Sequence, residues 1–485
     1  MRNTALGIAL VSAVAALALG GAARSAARSP LEAVQAGPRI PASAVREHLA
    51  ALQRIADRNG GNRATGNAGY DASARYVATR MRRAGYAVRL QEFAFPYVVD
   101  RSPPLLRTTG PADWRFRANR DYATLAYSGA GRVEAEVVAV DLLVPSPRPN
   151  ASTSGCEPAD FAGFPRGAIA LLQRGTCFFR TKVANAVAGG ASSVVVFNEG
   201  NPGRRELFAA TLGTPQVSIP AMAASFAVGE SLRRGTRSGA TGVAAELRAD
   251  VVAETRRTRN VIAETRTGDA RNLVVAGAHL DSVRDGPGIN DNASGSAVLL
   301  EVAERLATTR PSNRLRFVWW AGEELGLLGS RHYTRRLSRN ERRDHALYLN
   351  LDMVGSPNYV LLVYDGDSSS RAAGSAAIER VLARYLRSRR IPFGETAIGA
   401  RSDHAPFVTA GIPVGGIFTG ADGKKSQAEA AKFGGRAGDL YDPCYHRACD
   451  TLANVNDRAL TRSAETTHHA LRVFARDVWG IRRPG

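Results

Sequence analysis

Three apolar runs in the second half of this 485-residue chain each end in side chains that bind protons or metals. Leu273 to Ala278 leads into His279-Leu280-Asp281, and Asp291 follows His279 in the segment GINDNASG. Leu315 to Ala321 leads into AGEELG, which presents Glu323 and Glu324, and Ala346 to Leu351 leads into LNLDMVG, which presents Asp352. Taken singly, an Asp after a strand is a helix cap and a Glu pair is a solvated surface. Delivered together to one edge, an imidazole and several carboxylates leave uncompensated charge unless cations sit among them. His279, Asp291, Glu324 and Asp352 offer the nitrogen and oxygen ligands that zinc prefers, and the Glu pair leaves one carboxylate for metal and its neighbour for a base. One more histidine would complete two metal sites sharing a carboxylate. His404 in RSDHAPF and His446 in CYHRACD are the candidates, because His332 and His345 fall in an arginine-rich helical stretch and His468 and His469 in a terminal helix. Spacing leaves the two open.

The elements that must position these residues alternate in type. Short runs that are apolar almost throughout (Leu273 to Ala278, Leu315 to Ala321, Ala346 to Leu351, Val414 to Phe418) have the pattern of parallel strands buried on both faces. Helical spacing fills the gaps, with Val298, Val302 and Leu306 on one face of Ser296 to Leu306 and a second helix over Ala377 to Leu386. Nearer the start, Val45, Leu49, Leu52 and Ile55 mark a helix over 43–57. Tyr70, Ala74, Val77 and Met81 mark another, stopped by Gly85, before a strand from Tyr86 to Phe95. Alternation of this kind predicts an α/β fold with a doubly wound, mostly parallel sheet and helices on both faces. In such a sheet the functional residues lie beyond the carboxyl ends of the strands. Residues 133–250 differ, being rich in Gly and Ala with short β-branched runs (Val137 to Val140, Ala168 to Leu172, Ser193 to Phe197), and read as a separate insert. The expected division is a leader at 1–27, a linker or propeptide at 28–42, two parts of the α/β domain at 43–132 and 251–485, and the insert at 133–250 between them.

Composition narrows the classes of function. The formal charge is +20, from 64 Lys plus Arg against 44 Asp plus Glu, but the basic residues are nearly all arginines spread through the chain. No recognition helix or zinc finger accompanies them, so a nucleic-acid partner is not expected. Ala5 to Ala23 follows Arg2 and ends in small residues, as a secretory signal peptide does, so the processed chain should be exported without stable membrane insertion. Four cysteines in two local pairs, Cys156 with Cys177 and Cys444 with Cys449, read as disulfides in an exported protein.

The motifs AHLDSV, GINDNASG, AGEELGLLGS, LNLDMVG, RSDHAPF, GIPVGGIFTG and DPCYHRACDT, in this order, resemble the secreted co-catalytic di-zinc aminopeptidases. This is the bacterial leucyl aminopeptidase family, related to glutamate carboxypeptidase and transferrin receptor. The insert, through PRGAIALLQRGTCFFRTKVANAVAGGASSVVVFN, resembles a protease-associated domain of mainly β structure. The resemblance implies two zinc ions per chain, with His279 and Asp352 holding one, Glu324 and His446 the other, and Asp291 bridging. It implies a non-proline cis peptide at Asp291-Asn292 and Glu323 as general base. Tyr445 and Arg401 match positions that help stabilise the tetrahedral intermediate, although Arg401 would equally suit a substrate carboxylate. Phe418, in GIPVGGIFTG, would wall an apolar side-chain pocket. The expected protein is an exported monomer that removes apolar N-terminal residues from peptides with a free N-terminus. The alternatives are a carboxypeptidase-like or glutaminyl-cyclase-like relative, or a non-catalytic binding protein, in a branch that loses metal ligands.

Overall fold

The structure is a computed structural model; it describes residues 39–110, 113–213, 216–368 and 374–482. The expected leader and most of the expected linker therefore lie outside the described residues. Among the described residues no helix is long and apolar enough to cross a membrane.

The chain begins with helices Ala42–Asp57 and Ala68–Arg83. Val45, Leu49 and Leu52 are buried as expected, but Ala56 rather than Ile55 completes the inner face. The strands follow in two groups. β1 (Ala87–Asp100) belongs to the first sheet. The chain then enters a second sheet with β2 (Leu105–Gly110), β3 (Tyr122–Thr124), β4 (Gly131–Ala139), β5 (Ile169–Gln173), β6 (Ser193–Phe197), β7 (Ala221–Ala224) and β8 (Gly239–Ala249). It returns to the first with β9 (Val251–Glu264), β10 (Asp269–His279), β11 (Asn313–Trp320), β12 (His345–Leu351), β13 (Leu362–Asp365), β14 (Gly394–Ala397) and β15 (Val414–Phe418).

The first sheet has the order β1-β9-β11-β10-β12-β15-β13-β14, and the second β2-β8-β4-β5-β6-β7-β3. In the first, β11, β10, β12 and β15 run parallel, while β9 is antiparallel to β11 and β13 to β15. The centre is thus the buried parallel part that the near-continuous apolar runs predict, and β12 is buried along its whole length. From β10 the chain crosses to β11 on one side, then passes back to β12 on the other. That reversal opens a crevice at the carboxyl end of β10, the usual place for a ligand in an open α/β sheet. The helix Gly295–Leu306, buried on nearly every face, lies against β10 through β12.

The second sheet starts earlier than residue 133. β2 pairs antiparallel with β8, from Leu105 opposite Arg248 to Gly110 opposite Ala244, and β3 pairs with β7. Both strands are short and only partly apolar, so their place is decided by the edges they close and not by their own pattern. The insert has its own apolar clusters, around Leu171, Val195 and Leu247 and around Leu172, Val183 and Val196. His345, expected in a helix, instead opens β12.

Candidate metal centre and active site

The side chains expected to do chemistry converge at the carboxyl ends of β10, β11 and β12. His279 is the last residue of β10. Glu323 and Glu324 occupy a turn after β11 that is closed by the Gly326 and Leu327 N–H groups donating to the Glu323 carbonyl. Asp352 follows β12 directly. Asp291 sits in a distorted helical turn, Ile289–Ser294, whose Asp291-Asn292 bond is cis, as the resemblance implies.

Two groups of ligand atoms form there and share Asp291. His279 Nε2 lies 3.2 Å from one Asp291 oxygen and 3.3 Å from Asp352 Oδ1. His446 Nε2 lies 3.2 Å from the other Asp291 oxygen and 3.2 Å from Glu324 Oε2. Ligands about 2.0 to 2.1 Å from a tetrahedral zinc stand about 3.3 Å from one another, so both groups fit that ion. Glu324 Oε1 and Asp352 Oδ1 are buried and receive no hydrogen bond, which leaves acceptor capacity that a cation would satisfy. His404 is elsewhere: its Nε2 meets the Gly399 carbonyl at 2.8 Å and its ring packs edge-on to Tyr364. The alternative left open by spacing is therefore decided by where the chain places His446.

Electrostatics point the same way. Burial, then repulsion from Asp291, pushes the Glu324 carboxyl up to about 7. Burial pushes Glu323 well above the usual carboxylate range. Burial alone would lower His446, but hydrogen bonds to Asp291 and Glu324 more than offset it and hold the ring up to about 10. Burial opposes charge on His279 as well, and Glu323 and Asp352 raise it well above its ordinary value. A site that holds protons this firmly is one where divalent cations, replacing those protons, would relieve the same carboxylate repulsion.

Glu323 is mostly buried and stands 3.9 Å from His279 Nε2, outside the two groups that share Asp291 but close enough to His279 and Glu324 to form a third, overlapping group with them. Tyr445 stacks on His446 with ring centroids 3.9 Å apart. Arg401 is exposed and meets Asp422 at 3.4 Å. The residues of the two groups line one crevice with Arg331, Arg401 and Tyr445. Beside it a cavity of about 240 Å³ is lined by Met353, Tyr364, Thr396, Ala397, His404 and Phe418, with Asp352, Arg401 and Tyr445 on the shared wall. Phe418 thus faces the cavity that its segment was expected to wall.

Several supporting residues were not singled out from sequence. Asp281 faces His279 Nδ1, its carbonyl at 3.2 Å and its carboxylate at 3.6 Å, and orients the ring. Asp450 accepts the N–H groups of Asn290 and Asp291 at 2.8 and 3.0 Å, and Ser402 donates to Asp352 at 2.6 Å. Arg63, fully buried, donates to the carbonyls of Leu280, Pro287 and Gly288 and so ties the loop after β10 to the N-terminal helices. The motifs AHLDSV and RSDHAPF contain Asp281 and Ser402, so polar residues next to the assigned ones were the available signal. For Arg63, 217 residues from Leu280, there was none.

Comparison with known proteins agrees with this fold. The model of peptidase family M28 matches residues 260–471, and the PA domain model matches 133–232. An aminopeptidase of Pseudomonas aeruginosa is 45% identical over 427 residues, covering 87% of this chain and 78% of the relative. Among solved structures, the aminopeptidase from Aneurinibacillus sp. strain AM-1 superposes with a TM-score of 0.66 at 26% identity, covering 89% of this chain and 93% of that one. The Bacillus subtilis structure named as a zinc aminopeptidase gives 0.62 at 25% identity, over 88% and 94%. The chain belongs to peptidase family M28, as an enzyme of the metallo-aminopeptidase class with an inserted PA domain.

Proposed function

We propose that the protein is an exported aminopeptidase that uses two zinc ions per chain to release N-terminal residues with apolar side chains. The observation that carries this is the pair of ligand groups sharing the two oxygens of Asp291, with Glu323 beside them. His279 and Asp352 would hold one ion, Glu324 and His446 the other, with Asp291 between them. Zinc bound there supplies a Lewis acid that polarises the scissile carbonyl and lowers the pKa of water. Glu323 takes the proton from the attacking water and returns it to the leaving amine. Its burial, which favours the protonated form, suits the second half of that cycle. Tyr445 donates its hydroxyl to the carbonyl oxygen as negative charge develops, and Arg401 adds positive charge at the same mouth.

The cavity beside Asp352 receives the side chain of the residue to be released. Phe418, Met353 and Tyr364 give it a largely apolar wall, and about 240 Å³ accommodates a leucine or phenylalanine side chain. Export is supported by the Cys156–Cys177 and Cys444–Cys449 disulfides, which persist in oxidising compartments.

Hydrolysis of leucine p-nitroanilide and of its N-acetylated analogue, before and after chelation and zinc re-addition, tests the reading. Cleavage of the free amine alone, lost on chelation and restored by zinc, is expected. Cleavage of neither substrate by zinc-loaded protein would refute it in favour of a carboxypeptidase or cyclase activity. Glycine and alanine anilides turning over faster than leucine or phenylalanine anilides would refute the apolar preference.

A further inference from the structure

The two histidines of the proposed metal centre are held in different ways. His279 ends a central strand, is 1% exposed, and has its second ring nitrogen facing Asp281. His446 is 41% exposed, lies on a turn outside any helix or strand, and adopts a left-handed backbone with φ of 58°. Among the described residues no protein group hydrogen-bonds its Nδ1, so no side chain or carbonyl orients this ring as Asp281 orients that of His279. What encloses it is covalent: Cys444 and Cys449 close a ring over residues 444–449 that contains His446 and the Tyr445 stacked against it.

We infer that the Cys444–Cys449 ring is the positioning device for one of the two metal groups, the one formed by Glu324 and His446, and that the other group does not depend on it. This rests on the two-zinc reading above. Without the ring, a partly exposed residue in a left-handed conformation would relax to commoner backbone states, and the His446 and Tyr445 rings would leave the crevice together. The ring is also seated on the loop before Asp291. A Cβ at Gly286 would come within 2.2 Å of the Arg447 carbonyl, so the two backbones touch there with no room for a side chain. Asp450, next to Cys449, accepts the Asp291 N–H, but Asp450 is itself held from outside the ring by the Asn454 side chain at 3.1 Å, and Asp291 has further anchors beyond the ring. The Asn292 side chain donates to the Leu351 carbonyl and accepts from the N–H groups of Gly295 and Met353, at 2.8 to 3.2 Å. Opening the ring should therefore release His446 and leave His279, Asp291 and Asp352 in place.

The test is zinc titration of the chelator-stripped full chain, comparing wild type with the Cys444→Ser/Cys449→Ser variant and with Cys156→Ser/Cys177→Ser. The third protein lacks the insert's disulfide and serves as control. The expected result is two tight sites in wild type and in the control. In the ring variant one site should stay tight and the other weaken about 10- to 100-fold, the usual effect of losing an outer partner of a metal ligand. Turnover of leucine p-nitroanilide by that variant should fall, and excess zinc should restore it only in part, because Tyr445 is also displaced. Should the ring variant fail to fold, one glycine inserted after Arg447 keeps the disulfide, widens the ring and is expected to weaken the same site. Two wild-type-affinity sites in a folded ring variant, or equal loss in the control, would overturn the inference and leave the two-zinc reading standing. A single site in wild type would overturn both.

Discussion

At the scale of single residues, the site is decided by pairs of neighbours with the same chemistry and different surroundings. Glu323 and Glu324 are adjacent in sequence, yet Glu324 pairs with His446 at 3.2 Å, while Glu323 stands 3.9 Å from His279 and outside the two groups that share Asp291. A carboxylate not occupied by a metal is free to move a proton. Glu323→Ala should therefore lower kcat for leucine p-nitroanilide by about 10²- to 10⁴-fold while the chain still binds its full complement of zinc. Metal analysis beside steady-state kinetics checks this, and an unchanged kcat would remove Glu323 from the mechanism. Asp291, Glu323, Glu324 and Asp352 were legible in sequence because each lies just beyond a buried apolar run, or in the loop that follows one. Asp450 was not legible, since its task is to accept two backbone N–H groups 159 and 160 residues away.

At the scale of elements, the parallel centre of the sheet was readable because strand segments buried on both faces are apolar almost throughout, as the carboxyl-terminal parts of β10 and β11 and most of β12 and β15 are. Where a polar residue interrupts that pattern, the reading fails. His345 was placed in a helix, but it is buried at the start of β12, its Nε2 2.7 Å from the Tyr333 hydroxyl. Burial, reinforced by Arg316, pushes its pKa down to about 4. A histidine depressed in this way binds its proton more readily in the unfolded chain, so its contribution to stability is lost as pH falls from about 6.5 towards 4. The loss from this residue at pH 5 is about 2 kcal/mol, an upper figure because buried sites relax. Urea unfolding at pH 7 and pH 5 should show a smaller acid loss in His345→Gln than in wild type. Equal losses would mean that His345 does not titrate across this range.

At the scale of the whole molecule, the insert hangs from the end of a two-stranded ribbon. β1 and β9 pair without a break from Ala87 opposite Glu264 to Asp100 opposite Val251, and the Arg101 N–H then bonds the Asp250 carbonyl as the chain departs. The apolar cluster of the peptidase part draws on residues up to Val99 and from Val261 onward, so it closes without the insert. Replacing residues 101–250 by an Asn-Gly turn should leave a folded enzyme with leucine p-nitroanilide turnover within a few-fold of wild type, any change falling on long peptides. Loss of folding, or of anilide turnover, would show that the insert is part of the catalytic unit. By itself the sequence determined the alternation of elements, the buried strands and the residues beyond their carboxyl ends, because periodicity and local motifs are properties of neighbouring residues. Spacing left His404 and His446 open and the resemblance implied His446, which the tertiary structure brings to the acidic cluster; tertiary structure alone decided that β2 closes the insert's sheet from before residue 133 and that Arg63 ties down the loop after β10. Each of these depends on contacts between residues far apart in the chain, whose spatial meeting is set by packing and hydrogen bonding of the folded whole.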